Sequence, residues 1–211
     1  MNYLPLRVAS DPPLYRFARV LLVAGAHGYG RVAMLGLQNL PRSGPALLAC
    51  NHPSDFDPII LAIGFPRTLR FMGAGDEFRR AFVGRVIPHL AAFPVERGTA
   101  DRAALQTALD LLARGEVVAM FPEGDDYRGA PHPFEAGVGF LAARSGAPVV
   151  PAAIRGSDEI AVGGRLRRPM VRLRVGPALD LSGLSGTNHE LTAAITRRAE
   201  TAVRELYESL A

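Results

Sequence analysis

Residues 46–58 read ALLACNHPSDFDP, so that a short apolar run passes directly into a polar, turn-forming stretch. A continuous apolar run of this length is typical of a strand that is buried on both faces of a sheet. Pro53 ends the strand, and either Ser54 or Asp55 can cap the helix that follows. The stretch therefore predicts a strand, a turn and a helix, with His52 beside the positive end of the helix dipole.

The rest of the chain repeats this alternation of strands and helices. Further apolar segments that predict strands lie at residues 69–72, 91–95, 117–121, 149–154 and 171–175. Apolar side chains recur at helical spacing in two other stretches, residues 101–114 and 191–210. This order predicts an α/β fold, a single layered domain with a largely parallel central sheet. A length of 211 residues suits one such domain with one active site.

The N-terminal part of the chain has a different pattern. Residues 14–39 are apolar with isolated arginines, and glycines at positions 25, 28, 30 and 36 predict two short helices. The apolar stretch at residues 20–30 is far shorter than the roughly 20 residues that a spanning helix needs. We therefore expect an N-terminal helical segment over residues 1–40 and an α/β domain over residues 41–211. The helices either lie in a membrane interface, with arginines among the head groups, or pack on the domain.

All side chains of fixed positive charge are arginines, because the sequence contains no lysine, and the net charge is +4 at pH 7. The planar donor fork of arginine suits phosphate, which favours phospholipid head groups, phosphorylated acceptors or a pantetheine-phosphate carrier as partners. Nucleic acid is disfavoured, since the sequence has no basic helix, aromatic-interleaved segment or zinc-ligand pattern. The single cysteine, Cys50, excludes an internal disulfide and favours a cytoplasmic setting.

Polar, turn-forming residues follow three of the predicted strands, in the stretches 51–58, 93–98 and 121–124. Parallel strands bring their carboxyl ends to one edge of a sheet, which is where α/β proteins bind ligands. At this edge His52 can act as a general base, and Asp57 can fold back to fix the tautomer of its ring. The alternative is that the two side chains only tie down the turn.

The His52–Asp57 pair has no nucleophile of its own. Ser54 is close in sequence, but it lacks a Gly-x-Ser-x-Gly context, so we expect it to cap the turn. Direct attack by the hydroxyl of an acceptor follows from this. A metal site built from His52, Asp55, Asp57 and Glu123 is disfavoured, because the spacing matches no standard ligand motif.

Four ordered segments resemble the sequence blocks of the PlsC-like glycerolipid acyltransferases, a bacterial family that includes the lysophosphatidic acid acyltransferases. Residues 51–57 are similar to the His-x4-Asp block, and residues 93–98 are similar to the second block. Residues 121–124, Phe-Pro-Glu-Gly, resemble the third block, and residues 150–154, Val-Pro-x-x-Ile, resemble the fourth. The segments stand in family order with family-like spacing over residues 45–155, roughly half of the chain.

The resemblance implies an α/β domain behind a membrane-binding helical segment, at the cytoplasmic face of the cell membrane. It implies transfer of a fatty-acyl group from acyl-CoA or acyl-carrier protein to a glycerolipid hydroxyl, such as that of lysophosphatidic acid, in phospholipid biosynthesis. It implies no cofactor and no metal. By matching position, His52 would be the general base, Asp57 its partner, and Arg97 the residue that binds the acceptor's phosphate. Glu123 and Gly124 would shape the acceptor site, with Glu123 bonded either to the acceptor or to backbone.

The sequence departs from the family pattern after the Phe-Pro-Glu-Gly block. Phosphate-binding members usually continue with Thr-Arg-Ser or similar, whereas residues 125–128 read DDYR. Glu135 also stands where family members often carry a basic residue. Asp125 and Asp126 would repel an anionic head group, and Arg128 is a residue that can compensate. The pattern leaves open a non-phosphate lipid alcohol as acceptor, a thioesterase-like hydrolase that uses water, and a non-catalytic lipid-binding protein.

A run of arginines lies late in the chain, at positions 165, 167, 168, 172 and 174. Arg172 and Arg174 alternate with apolar residues, which predicts that both lie on one face of a strand. The run is either a solvated polar face or a docking patch for a carrier protein or an anionic lipid.

Overall fold

The computed structural model describes residues 31–65, 67–74, 93–95 and 101–211 of the protein. These residues form a seven-stranded sheet with helices packed on both faces, and a separate two-stranded hairpin. The strands of the sheet are β1 (Val32–Leu35), β2 (Ala46–Cys50), β3 (Leu69–Ala74), β4 (Phe93–Val95), β5 (Val117–Met120), β6 (Val149–Arg155) and β9 (Val171–Val175). The hairpin consists of β7 (Ala161–Val162) and β8 (Arg165–Leu166), and the α-helices are α1 (Asp57–Gly64), α2 (Arg102–Ala113), α3 (Gly137–Ser145) and α4 (Asn188–Glu208).

The strand order in the sheet is β1-β9-β6-β2-β5-β3-β4. Neighbouring strands run parallel throughout, except that β6 and β9 are antiparallel. The predicted α/β fold with a largely parallel sheet is therefore confirmed. Strands β2, β5 and β6 end at the same edge of the sheet, which we call the carboxyl edge.

Successive residues of β2 point to opposite faces of the sheet, and both faces are covered. Ala46, Leu48 and Cys50 lie in the core beneath α1, whereas Leu47 and Ala49 lie in the core beneath α2, α3 and α4. All five side chains have 0% exposure. Burial on both faces is the reason that the strand has no polar residue.

Residues 32–35 form β1 instead of the helix that we predicted for this part of the chain. β1 pairs in parallel with β9, where Val32 lies opposite Val171 and Leu35 lies opposite Arg174. A short apolar run fits a strand or a helix equally well by its pattern, and the available edge of β9 decides between them. The helical prediction is therefore wrong for these residues, which belong to the sheet.

The helices predicted within residues 1–30 lie outside the described residues. Among the helices that the structure does describe, none combines the length and the apolar character that crossing a membrane requires.

Pro151 lies in β6, an interior strand, although proline cannot donate a backbone hydrogen bond. The carbonyl oxygens of Val149 and Pro151 accept from the N–H groups of Leu179 and Gly176, both at 2.8 Å. The first residues of β6 therefore face the chain that follows β9. The ladder between β6 and β9 begins at Ala152 of β6. The missing donor of Pro151 therefore falls opposite Gly176, outside the ladder between β6 and β9.

Candidate active site

Asn51 ties the end of β2 to the end of β6. Its side-chain amide donates to the carbonyl oxygen of Ile154 at 2.9 Å, and its side-chain oxygen accepts from the Ile154 N–H at 2.8 Å. Only 1% of Asn51 is exposed, so the contact satisfies polar groups in the interior. It also fixes the position of the next residue, His52. Asn51 is a site residue that was not predicted; its signal in the sequence is an amide directly after a strand that is buried on both faces.

His52 and Asp57 form a buried hydrogen-bonded pair. Nδ1 of His52 lies 2.9 Å from Oδ2 of Asp57, and the same oxygen accepts from the Ser54 N–H at 2.7 Å. Asp57 is the first residue of α1, so the turn between β2 and α1 returns its carboxylate to the ring. An ionised carboxylate accepts the Nδ1 proton, which leaves Nε2 with a lone pair that can accept a proton from a substrate.

The plane of the His52 ring is set by Phe121. The two rings stack with their centroids 3.9 Å apart and their planes 16° apart. Phe71 continues the aromatic group, with its centroid 6.4 Å from that of Phe121. Only 8% of the His52 side chain is exposed. The imidazole is therefore accessible over a small part of its surface, beside aromatic side chains.

Burial raises the pKa of Asp57 above the value of about 3.9 that an exposed aspartate has. The hydrogen bond and the charge of His52 oppose this increase most strongly, followed by the hydroxyl of Ser157 and the N–H of Ser54. The second carboxylate oxygen, Oδ1, is buried and has no hydrogen bond among the described residues. Solvation is therefore lost on folding, and His52, Ser157 and Ser54 are the groups that favour the charged form.

Glu123 joins two loops through its carboxylate. Oε2 accepts from the His52 N–H at 3.0 Å, and Oε1 accepts from the His132 N–H at 2.9 Å. Glu123 is 5% exposed, and burial raises its pKa, while the same two backbone donors oppose the increase. Of the two expected partners of Glu123, the acceptor or the backbone, the structure shows the backbone for both oxygens. Glu123 therefore holds the backbone of His52 and of His132 in place.

Gly124 turns the chain after Glu123 and leaves room for Glu135. Its φ is +80°, which favours glycine, and a Cβ at this position would lie 2.7 Å from Oε1 of Glu135. The loop is closed by the Glu135 N–H, which donates to the carbonyl oxygen of Pro122 at 2.7 Å. A carboxylate thus lies against the position where the family resemblance expects an acceptor.

The remaining predicted residues have different placements. Arg128 is exposed and donates through Nη2 to the carbonyl oxygen of Ala161 at 3.2 Å. The adjacent Tyr127 N–H donates to the carbonyl oxygen of His52 at 2.9 Å, so this loop contacts the site through its backbone. Arg97 lies outside the described residues. Within the described ranges, no group of three or more His, Cys, Asp or Glu side chains is arranged to hold a metal ion.

The structure thus brings together four of the predicted site residues at the carboxyl edge: His52, Asp57, Glu123 and Gly124. A histidine with one ring nitrogen engaged and the other directed to a substrate is suited to proton transfer.

The sequence model of the acyltransferase family matches residues 31–155, more than half of the chain. The chain therefore belongs to the acyltransferase family, and the family that the sequence blocks predicted is confirmed. It is an enzyme of acyl transfer.

Individual relatives agree with this assignment. The chain is 28% identical over 200 residues to the 1-acyl-sn-glycerol-3-phosphate acyltransferase of Bacillus subtilis (strain 168), which covers 93% of this chain and 98% of the relative. It is 30% identical over 129 residues to the chloroplastic 1-acyl-sn-glycerol-3-phosphate acyltransferase BAT2 of Brassica napus, which covers 59% of this chain and 37% of the relative. The fold is similar to the crystal structure of the 1-acyl-sn-glycerophosphate acyltransferase PlsC from Thermotoga maritima, with a TM-score of 0.68 and 22% identity over 91% of this chain and 80% of that one.

Glu123→Gln tests the role of the buried carboxylate. A glutamine offers one acceptor oxygen to two backbone donors, and a buried donor left without an acceptor costs about 1–3 kcal/mol. We expect a lower melting temperature and reduced acyl transfer, measured by thermal denaturation and by thiol release. Glu135→Gln changes an exposed carboxylate of the same loop and should leave the melting temperature unchanged. Equal melting temperatures of Glu123→Gln and wild type would contradict this role.

Asp57→Asn tests the effect of burying a charge at this position. Because the pKa of Asp57 is higher in the folded than in the unfolded state, wild type loses stability as the pH rises through the folded-state pKa, and the neutral variant does not. The melting temperature of Asp57→Asn relative to wild type should therefore increase from about pH 4 toward neutral pH. Asp110→Asn, at an exposed position of α2, is the control, and its melting temperature relative to wild type should not increase with pH in this way. A relative melting temperature that falls with rising pH would mean that the pair stabilises the ionised carboxylate.

Proposed function

We propose that this chain transfers a fatty-acyl group from an acyl thioester to the hydroxyl of a glycerolipid, with His52 as general base and Asp57 as its partner. The observation that carries the proposal is the buried pair at the carboxyl edge, in which Nδ1 is bonded to Asp57 and Nε2 is left for a proton. The pair lies within residues 31–155, the part of the chain that matches the family.

In the proposed reaction, the acceptor's hydroxyl oxygen attacks the carbonyl carbon of the thioester while its proton passes to Nε2 of His52. The carbon becomes tetrahedral, and Asp57 stabilises the positive charge that forms on the ring. The carbon–sulfur bond then breaks, and the departing thiolate takes the proton back from His52. The products are a new ester and a free thiol, and His52 returns to its neutral form.

Two observations favour direct transfer over an acyl-enzyme intermediate. The hydroxyl of Ser54 accepts from the Phe56 N–H at 3.3 Å, which places it in the turn. Burial raises the pKa of the Cys50 thiol well above its ordinary value, and the charges of Asp57 and Glu123 raise it further. Since a thiolate is the nucleophilic form of cysteine, Cys50 is unsuited to attack.

Lysophosphatidic acid is the first candidate acceptor, because 1-acyl-sn-glycerol-3-phosphate appears in the names of the Bacillus and Brassica relatives. The family resemblance assigns the phosphate to Arg97, which follows the last residue of β4 by two positions in sequence. The proposed donor is acyl-CoA or acyl-carrier protein, since both present the same thioester carbonyl.

A lipid alcohol without phosphate is the second candidate acceptor, and the acidic loop favours it. The carboxylate of Glu135 lies against Gly124, and Asp125 and Asp126 come next in the chain. Arg128 donates to a backbone carbonyl oxygen, so its charge is directed toward the hairpin. Like charges at short range raise the free energy of a bound phosphate.

We further propose that the enzyme works at the cytoplasmic face of the cell membrane. A lipid acceptor is drawn from a bilayer, and the arginine excess of the chain suits anionic head groups. The interfacial helices predicted within residues 1–30 are part of this proposal.

His52→Ala tests the chemistry. Loss of a general base should lower acyl transfer to lysophosphatidic acid by about 10²–10⁴-fold in a variant that is still folded at the assay temperature, as thermal denaturation checks. His189→Ala, at an exposed position of α4, is the matched control and should keep full activity. Labelled ester and free fatty acid are measured together with released thiol. Full ester formation by a folded His52→Ala enzyme would end the proposal, and free fatty acid in proportion to thiol would identify a hydrolase.

Arg97→Gln separates the two candidate acceptors. If Arg97 binds a phosphate, the variant should raise the KM for lysophosphatidic acid by about tenfold or more, the effect of losing one charge-assisted contact, and leave monoacylglycerol turnover unchanged. Arg102→Gln, an exposed change in the first turn of α2, is the control. Wild-type preference for monoacylglycerol, with no effect of Arg97→Gln, would support the non-phosphate acceptor instead.

A further inference from the structure

A short hairpin projects from the carboxyl edge, beside the candidate active site. It comprises β7, a two-residue turn and β8, and the chain then runs through Met170 into β9. The turn consists of Gly163 and Gly164 with φ of +59° and +73°, as in the tight turns that match the twist of paired strands. We call residues 161–170 the arginine hairpin, because Arg165, Arg167 and Arg168 lie in it.

The arginine hairpin is attached to the loops around the site. Arg128 donates to Ala161, which pairs with Leu166 across the hairpin. At its base, the Arg167 N–H donates to the carbonyl oxygen of Ile160 at 2.8 Å. The backbone N–H of Tyr127, next to Arg128, contacts His52. The hairpin is thus connected to the candidate active site through one loop.

Large apolar side chains are exposed at this edge. Among the described residues, the exposed large hydrophobic side chains are Leu35 (55%), Tyr127 (38%), Leu166 (79%) and Met170 (46%). Leu35 lies on β1, the strand at one end of the sheet order, two strands away from β6 and outside the arginine hairpin. The other three lie on the hairpin and on the loop that joins it to His52 through Arg128 and Tyr127. Exposed apolar groups gathered beside a site mark an interaction surface.

The charge around these apolar groups is positive. Residues 155–172 contain five arginines and two acidic residues, Asp158 and Glu159. Leu166 stands directly between Arg165 and Arg167, and both flanking residues are exposed. An apolar side chain flanked by cations fits the boundary of a bilayer, where acyl chains and head-group phosphates lie within a few ångströms of each other.

We propose that the arginine hairpin docks on a bilayer that contains anionic phospholipids, with Leu166 and Met170 in the interface and the arginines at the phosphates. Each arginine near such a surface contributes about fivefold in affinity, the equivalent of about 1 kcal/mol. The inference rests on the proposed function in one respect, because an enzyme with a lipid acceptor has to bind the bilayer that contains it. A soluble acidic carrier protein is the rival occupant, but it would leave Leu166 without an apolar environment.

Tryptophan fluorescence tests the proposal at the residue itself, because the chain contains no tryptophan. Leu166→Trp in the full chain should shift its emission to shorter wavelength with vesicles of phosphatidylcholine and phosphatidylglycerol, and lipids brominated in the acyl chain should quench it. Leu35→Trp, at an exposed position of the edge strand β1 outside the arginine hairpin, is the matched control and should respond to neither. The signal is local, so binding through residues 1–30 does not produce it. No shift at position 166, or an equal shift at position 35, would overturn the proposal.

Removal of charge tests the role of the arginines. Arg165→Gln with Arg168→Gln should weaken vesicle binding about 30-fold, measured by sedimentation, whereas Arg42→Gln with Arg144→Gln, both exposed and outside the hairpin, should not. Neither pair should alter transfer to a short-chain acceptor dispersed in solution. Equal loss of binding in both pairs would contradict a specific surface. A shift of the tryptophan at 166 caused by acidic carrier protein and not by vesicles would reassign the surface to that partner.

These experiments separate the docking from the chemistry. His52→Ala should bind vesicles as wild type does, because the ring lies outside the hairpin. Vesicle binding without acyl transfer in wild type would contradict the proposed function and support the docking surface. Acyl transfer without a fluorescence response at position 166 would contradict the docking surface and support the proposed function.

Discussion

The parallel pairing of β2 with both β5 and β6 is the constraint on which the candidate site depends. Leu48 lies opposite Ala119 of β5 and Val150 of β6, so β2 and β5 end within one residue of each other and β6 continues past them. Residues near these ends then meet. After β2, Asn51 bonds to Ile154 of β6, and His52 bonds to Glu123 and stacks on Phe121, both of which follow β5. A slip of β2 by one residue would exchange the two faces of the strand and move the ring away from Phe121.

Two buried carboxylates perform different tasks at this edge. Asp57 bonds to a ring nitrogen of His52 and thereby sets which nitrogen can accept a proton, whereas Glu123 bonds to backbone and sets where the loop lies. Burial raises the pKa of both groups, which means that the charged forms lose solvation on folding. Local hydrogen bonds offset this loss. For the proposed proton transfer, an imidazole held by Asp57 and stacked on Phe121 needs little reorganisation.

The sequence was sufficient to predict those features that depend on local pattern. The apolar run at residues 46–50 predicted β2, and the helical spacing at residues 101–114 predicted α2, because burial on one or two faces leaves a direct trace in the sequence. The pairing of His52 with Asp57 was also predictable, since only a turn separates the two residues. In contrast, β1 depends on the edge of β9, which is distant in sequence and has no local signal in residues 32–35.

The tasks of Asn51 and Glu123 were beyond the sequence for the same reason. Asn51 bonds to a residue 103 positions away, and Glu123 bonds to one that is 71 positions away. Both contacts follow from strand order, which alternation of strands and helices does not specify. The position of the arginine hairpin follows from strand order as well. Because β6 ends at the carboxyl edge and β9 begins there antiparallel to it, the connection between them must lie beside His52. In the proposed orientation, therefore, the edge that carries the base is also the edge that meets the bilayer, and a lipid hydroxyl reaches Nε2 without the lipid crossing the body of the domain.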